Sequence, residues 1–180
     1  LAYALRGERP PVDRSRVAGV VALGLAGLAL DAAPPCPEAY LPVGAVCENA
    51  DGMRLTLEAM DVTPAGVIFV NLVDFDMLFG HRNDVEGYAR ALEEADAWVP
   101  SLLAKLQPDD LLLFCADHGC DPTTPSTDHS REYTPLLAYS PSARAAVDLG
   151  TRATLSDIGQ TIAANFGAEI SKGTSFLQEL

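Results

Sequence analysis

Two short apolar runs that lead directly into charged residues constrain the fold of this 180-residue chain more than any other feature. Residues 66–73 read GVIFVNLV and lead into Asp76, and residues 111–115 read LLLFC and lead into Asp117 and His118. Apolar runs without alternation are typical of strands that are buried on both faces of a sheet. The sequence therefore predicts two central strands with polar side chains at their carboxyl ends.

Three segments have the apolar spacing of amphipathic helices. Helices are predicted over residues 51–60, 84–106 and 154–166. In the longest, Val85, Leu92 and Leu102 belong to the predicted buried face, and Pro100 is expected to kink or split the helix. Asp51 is expected to cap the first helix, and Asp157 to complete an approximate capping box in the last.

Further strands are predicted within residues 17–30 and over residues 136–139, although a loop remains the alternative for the first. Strands that alternate with helices favour an α/β fold with a mostly parallel sheet flanked by helices. Proline-rich residues 1–48 predict loops around one buried strand, whereas residues 49–180 carry the clear pattern of a core domain.

The charge balance excludes two classes of partner. The chain has 12 Lys and Arg against 25 Asp and Glu, a net charge of −13, and a pI near 4.4. Affinity for phosphate backbones and anionic lipid surfaces comes mostly from basic side chains. We therefore expect no nucleic-acid partner and no membrane partner, although a phosphate ligand held by a metal stays possible.

Cysteine usage and the apolar segment 17–30 indicate the compartment. The chain has four cysteines and no CxxC pair, so neither a disulfide scaffold nor a zinc knuckle is expected; they are Cys36, Cys47, Cys115 and Cys120. Residues 17–30 imitate the apolar part of a signal peptide, but a long mixed-charge stretch precedes them, and they are too short to span a bilayer. These features favour reduced thiols in a cytoplasmic protein.

All three histidines lie within one part of the sequence, and each has an aspartate nearby. The candidate metal ligands are Asp76, His81, Asp117, His118 and His129. Ligands gather at the carboxyl ends of strands in open α/β sheets, and carboxylates with imidazoles suit Mn²⁺, Zn²⁺ or Mg²⁺. Five such groups can hold two ions. The alternative is that they are surface residues or histidines hydrogen-bonded to neighbouring carboxylates.

Three segments carry a resemblance to a known family. Residues 71–96 contain DFDMLFGHR, residues 116–141 contain ADHGCDPTTPSTDHSRE, and residues 155–180 contain GTSFL. Together they resemble the phosphopentomutases, a family of two-metal enzymes in the alkaline-phosphatase superfamily. The resemblance is close over about residues 49–180 and implies an alkaline-phosphatase-like core.

This resemblance implies an activity and a set of roles. The family interconverts ribose 1-phosphate and ribose 5-phosphate, or the 2-deoxy pair, and uses two Mn²⁺ ions. By motif match, Asp76, His81 and His129 would bind one ion, and Asp117 and His118 would bind the other. The small-molecule partner would be a phosphosugar.

The chain also departs from the family's pattern. No segment matches the family's N-terminal strand, its nucleophilic threonine or its cap domain, so the chain is expected to be a C-terminal fragment with an incomplete core and no catalytic nucleophile of its own. The family's Gly-Lys dipeptide, whose lysine is thought to meet substrate phosphate, is Gly24-Leu25 here, and its Arg-Arg pair is Arg82-Asn83. Two alternatives stay open: a metal-dependent phosphatase or other phosphosugar mutase of the superfamily, and a non-catalytic metal-binding remnant.

Overall fold

The computed structural model of the chain describes residues 48–143 and 146–180 in full and residues 3–5 and 17–23 as backbone strands. The strands are β1 Tyr3–Leu5, β2 Val17–Leu23, β3 Val67–Leu72, β4 Leu112–Cys115 and β5 Leu136–Tyr139. The α-helices are α1 Asn49–Val62, α2 Val85–Leu103 and α3 Ser156–Asn165. A π-helical turn, Phe75–Phe79, and two 3₁₀ turns, Gly80–Arg82 and Leu177–Glu179, complete these elements.

The strands form one mixed sheet in the order β1-β3-β2-β4-β5. Strand β2 pairs in parallel with both β3 and β4, whereas β1 pairs antiparallel with β3, and β5 pairs antiparallel with β4. Helices accompany this sheet, as the predicted α/β class requires, but the mostly parallel arrangement is not confirmed, because two of the four strand pairs are antiparallel. For β5 the reason is the connection after β4, where residues 116–135 contain no crossover helix and return the chain antiparallel to the strand it has just left.

The predicted strands are confirmed at 66–73, 111–115 and 136–139 within one or two residues. The segment 17–30 contains β2, and residues 24–30 lie outside the described residues. The long helix is confirmed as α2, which continues through Pro100 with a hydrogen bond from Ala104 N to Pro100 O of 3.0 Å. The helix is therefore not split at Pro100, and the alternative prediction of a kink stays a prediction.

The buried face of α2 agrees with the predicted one at Leu102 and differs from it at Val85 and Leu92. The helix buries Gly87, Ala91, Ala95, Trp98 and Leu102. Val85 and Leu92, by contrast, are close to half exposed, at 45% and 46%. The buried face thus combines the predicted Leu102 with Trp98 and three small residues.

Two apolar clusters cover the two faces of the sheet. On one face, α1 and α2 pack against β3 through Ile68, Val70 and Leu72. On the other face, Leu113 of β4 packs with α3 residues and with Phe176 of the C-terminal segment. Burial on both faces explains why neither β3 nor β4 alternates apolar and polar residues in sequence. In the part of the chain that the structure describes, no helix has the length and apolar content needed to cross a bilayer.

The N-terminus of α1 is capped from a distant part of the chain. Asn49 N donates to Asp74 Oδ2 at 2.8 Å, and Asp74 N donates to Asn49 Oδ1 at 3.0 Å, with both residues buried. Asp51, the predicted cap, pairs instead with Arg54. The reciprocal pair satisfies an unbonded helix donor and fixes the residue that directly follows β3 and Val73.

Asp157 also has a different role from the predicted capping box. Its carboxylate accepts from Thr174 N at 2.8 Å and from Arg152 Nε at 3.2 Å. The start of α3 instead uses Thr154 Oγ1, which accepts from Ser156 N at 3.2 Å. Asp157 therefore holds the C-terminal segment against α3.

We expect Asn49→Ala to lower the free energy of unfolding by about 1–3 kcal/mol, because it leaves the buried Asp74 N–H without its acceptor. Urea unfolding of the full chain measures this. Arg54→Ala is the matched control on the same helix, since its ion pairs with Asp51 and Glu58 are exposed, and its unfolding midpoint should stay close to that of the wild type. Equal midpoints for both variants would contradict the role of the pair.

Candidate metal centre

The segment after β3 is held tightly against the core. Phe75 is fully buried and packs edge-on against Tyr88 of α2, with ring centroids 5.4 Å apart. A Cβ at position 80 would clash with Cys120 Sγ and lie 2.9 Å from Phe75 O, so only glycine permits this approach. The segment thereby brings Asp76 and His81 next to the loop that follows β4.

The loop after β4 folds back on itself. Gly119 and Ser130 form an antiparallel bridge, with Ser130 N donating to Gly119 O at 3.0 Å. This bridge closes the loop at its base and returns His129 to the side of His118. The two imidazole rings stack with centroids 3.6 Å apart and an interplanar angle of 15°.

The carboxylate of Asp76 lies at the centre of the resulting cluster. Its Oδ2 is 3.3 Å from His81 Nε2, and its Oδ1 is 3.5 Å from His129 Nε2 and 3.8 Å from His118 Nε2. Asp117 Oδ1 lies 3.5 Å from the same His118 nitrogen. One ligand atom each from Asp76, His81 and His129 fits within 4.8 Å, which is the spacing of donors around a single ion.

Backbone carbonyls fix the tautomers of two of the histidines. His81 Nδ1 lies 2.5 Å from Thr127 O, and His118 Nδ1 lies 3.0 Å from Gly119 O. A carbonyl oxygen only accepts, so each Nδ1 carries the proton and each Nε2 of the neutral ring presents its lone pair towards Asp76. A metal-binding histidine needs this arrangement, with one nitrogen free to ligate and the other hydrogen-bonded.

Two atoms at the centre of the cluster test whether a cation fits. Among the described residues, Asp76 Oδ1 and His118 Nε2 are buried and have no hydrogen-bond partner. The Asp76 side chain is only 2% exposed, and a buried carboxylate without a compensating partner is destabilising. A divalent cation between these acceptors would satisfy both of them, so the donor set fits a metal.

The structure brings all five predicted residues together. Asp76, His81 and His129 form one group, and Asp117 and His118 adjoin it through the Asp76 carboxylate. Their roles as ligands stay a prediction. The sequence pattern missed the carbonyls of Gly119 and Thr127, because a backbone carbonyl carries no signal in the residue type.

The described cysteines are free thiols. Burial, followed by the charge of Asp117, raises the pKa of Cys115 to about 11. Burial, followed by the charges of Asp76, Asp121 and Glu132, raises the pKa of Cys120. Both directions favour the protonated thiol. Cys36 and Cys47 lie outside the described residues.

Comparison with known proteins decides the family. The family described as Metalloenzyme superfamily matches residues 41–170. The chain belongs to the metalloenzyme superfamily. It is 60% identical over 132 residues to a protein named phosphopentomutase from Anaeromyxobacter sp. (strain K), covering 73% of this chain and 34% of that protein.

Two further relatives agree. The phosphopentomutase of Caldanaerobacter subterraneus subsp. tengcongensis is 56% identical over 133 residues, and that of Acetivibrio thermocellus is 54% identical over 131 residues. These matches cover 73% and 72% of this chain and 34% of each relative. This metalloenzyme chain thus spans about a third of the length of the curated relatives it matches.

In this member of the metalloenzyme superfamily, we expect Asp76→Asn to distinguish two effects on stability. One is the destabilisation that the buried carboxylate causes without metal, and the other is the stabilisation that metal binding provides. In EDTA the variant should unfold at the same temperature as the wild type or higher, because a buried amide costs less than an unsatisfied carboxylate. With Mn²⁺ the unfolding temperature of the wild type should rise, and that of the variant should not. Differential scanning calorimetry measures both.

Asp157→Asn is the matched control, since this aspartate is equally buried but fully bonded. It should unfold at a lower temperature in EDTA and still gain stability with Mn²⁺. An Asp76→Asn variant that is stabilised by Mn²⁺ as much as the wild type would argue against a metal at this carboxylate.

We also expect His129→Ala to weaken Mn²⁺ binding by about 10-fold or more, because it removes a ligand and the ring that stacks on His118. Titration calorimetry of the full chain measures the affinity. Tyr133→Ala removes an exposed ring from the same loop, where it is 89% exposed, and should leave the affinity within about twofold. Unchanged affinity in His129→Ala would refute its assignment as a ligand.

Proposed function

We propose that residues 49–180 supply the C-terminal part of the metal-binding core of a phosphopentomutase. The fold proposed for the longer protein is alkaline-phosphatase-like. Its reaction would interconvert the 1-phosphate and 5-phosphate of ribose or deoxyribose. The observation that carries the proposal is the buried Asp76 carboxylate, which lies within 4 Å of three imidazole nitrogens. Relatives named phosphopentomutase, identical at 54–60% of aligned positions, support the substrate class.

The proposed cofactor is a pair of Mn²⁺ ions. Asp76, His81 and His129 would hold one ion, and Asp117 and His118 would contribute to the other. When bound, such a pair neutralises charge on a phosphoryl group and stabilises the oxygens that exchange it. The chain's own residues supply the geometry for this, since the Asp76 carboxylate faces both groups of ligands and the two carbonyl-bonded imidazoles are fixed in the ligating tautomer.

The acidic character of the chain supports a metal as the means of binding a phosphosugar. A net charge of −13 repels a phosphate ester at long range. Among the described residues, the ion-pair contacts of Asp76 are with histidines and not with lysine or arginine. Divalent cations would reverse the local potential at the proposed metal site and so favour a phosphate ester there.

The nucleophile of the proposed reaction is not assigned to a residue of this chain. Thr123 Oγ1 donates to Asp121 Oδ1 at 2.6 Å, and Thr124 Oγ1 donates to Asp121 O at 3.0 Å. Both hydroxyls are thus engaged in shaping the loop. This supports the proposal that the reactive threonine, together with the remaining ligand of the second ion, belongs to a part of the longer protein that residues 49–180 do not include.

The test uses the longest reading frame that contains this chain, assayed with Mn²⁺ and ribose 1-phosphate. We expect formation of ribose 5-phosphate, and we expect Asp117→Ala to reduce the rate by about 100-fold or more, because a ligand of the second ion is lost. Residues 1–180 alone should give no measurable mutase turnover, since nucleophilic catalysis would be absent. Mutase activity in the isolated chain would mean that one of its own threonines is the nucleophile.

One sequence observation favours a second candidate, a metal-dependent phosphatase of the same superfamily. Leu25 stands where the family has a lysine that meets substrate phosphate, although Leu25 lies outside the described residues. The same assay separates the two functions. Release of inorganic phosphate without ribose 5-phosphate would support the phosphatase, whereas isomerisation without phosphate release supports the mutase.

We propose the cytoplasm as the compartment. The free thiols of Cys115 and Cys120 support this, because reduced cysteines are typical of cytoplasmic proteins.

A further inference from the structure

Asn83 has an unusual backbone conformation directly beside the metal cluster. Its φ of 52° and ψ of 34° are left-handed, and among the described residues it is the one non-glycine residue with positive φ. It ends the 3₁₀ turn that contains His81, with its N–H donating to Gly80 O at 3.1 Å. Asparagine tolerates this conformation better than most residues, but glycine tolerates it best.

The side chain of Asn83 makes a hydrogen bond that glycine could not make. Its Nδ2 donates to Thr124 O at 3.1 Å, across 41 residues of sequence. Its Oδ1 is buried and has no hydrogen-bond partner among the described residues, which is a cost that glycine would avoid. The amide is therefore explained by its bond to the Thr124 carbonyl and not by the backbone conformation alone.

A second contact joins the same pair of segments. His81 Nδ1 contacts Thr127 O, and Asn83, two residues further along, binds Thr124 O, three residues earlier in the loop. The bridge between Gly119 and Ser130 closes the other end of the loop. His129 lies between these fixed points, and its own side chain is 41% exposed, so packing alone holds its imidazole only in part.

We propose that Asn83 is a positioning residue, whose amide ties the loop of residues 119–130 to the His81 turn and so holds His129 in reach of Asp76. The inference rests on the proposed function in one respect, namely that His129 binds a metal. The tie itself exists without metal, because both of its atoms belong to this chain. Hydrogen-bonded partners that orient a ligand typically change metal affinity by about 10–100-fold when they are removed.

Asn83→Gly tests this role sharply. Glycine retains the left-handed conformation at no steric cost and removes the side chain with its bond to Thr124 O, so the backbone requirement at position 83 would still be met. The matched control is Gln160→Ala, which removes another side-chain tie to a loop, the bond from Ile170 N to Gln160 Oε1 of 2.9 Å on α3.

The full chain is measured in two ways. Amide hydrogen exchange in EDTA reports the tie without metal, and residues 119–130 should exchange about 5-fold faster in Asn83→Gly, the factor of one ordinary hydrogen bond. Titration with Mn²⁺ alone should show an affinity weakened by about 10-fold in Asn83→Gly and unchanged in Gln160→Ala.

Each other outcome counts against the proposal. Unchanged exchange in the loop would mean that the amide does not hold it. Faster exchange with unchanged Mn²⁺ affinity would mean that the loop does not position a ligand. In both cases wild type and Gln160→Ala still bind Mn²⁺, so only this inference fails. If the wild type binds no Mn²⁺, the proposed metal site fails, and the positioning role fails with it.

Discussion

The carboxylate of Asp76 is buried among imidazoles with one of its two oxygens unsatisfied, and the arrangement around it follows from this constraint. Its Oδ1 has no hydrogen-bond partner among the described residues, and the nearest basic atoms are Nε2 of His118 and His129. Such a buried carboxylate destabilises the metal-free protein and strongly favours the binding of a cation. The neighbouring core offsets this destabilisation. Phe75, next to Asp76, is fully buried, and Asp74 forms a reciprocal pair of hydrogen bonds with Asn49. Stability and metal affinity are therefore coupled at this site.

The sequence predicted the central strands and the location of the candidate site for the same reason. Strands that are buried on both faces appear in the sequence as continuous apolar runs, which are easily recognised. Polar residues at the carboxyl ends of such parallel strands lie at one edge of the sheet. The residue pattern alone was therefore enough to assign Asp76 and Asp117 to that edge. His129 was harder, because its position depends on the bridge between Gly119 and Ser130, which no local pattern indicates. The tautomers depend on backbone carbonyls and could not be predicted at all.

The errors in the predicted fold have long-range causes. The cap of α1 comes from Asp74, 25 residues away, whereas local rules can only choose among neighbours such as Asp51. The buried face of α2 includes the small residue Ala91, whereas the apolar pattern selected its neighbour Leu92, which is 46% exposed. The antiparallel β5 reflects a connection without a helix, and the loop in that connection is also the one that carries His129. The antiparallel pairing of β5 and the construction of the site thus depend on the same connection, whereas the antiparallel pairing of β1 with β3 is separate from it.

The ligands of the candidate site differ in how firmly the fold holds them, and this difference predicts where its affinity is most easily changed. Asp76 and His81 lie on one short segment that is fixed at both ends, by Phe75 in the core and by Asp84, whose carboxylate caps α2 through Gly87 N at 2.9 Å. His129 lies on a loop whose hydrogen bonds to that segment are two single bonds at carbonyl oxygens of the loop. Metal binding has to order whatever is left mobile, and each ordering cost reduces affinity. Substitutions in residues 119–130, and in the Asn83 amide that reaches them, should therefore change affinity with little change in the stability of the sheet, whereas substitutions around Phe75 should change both.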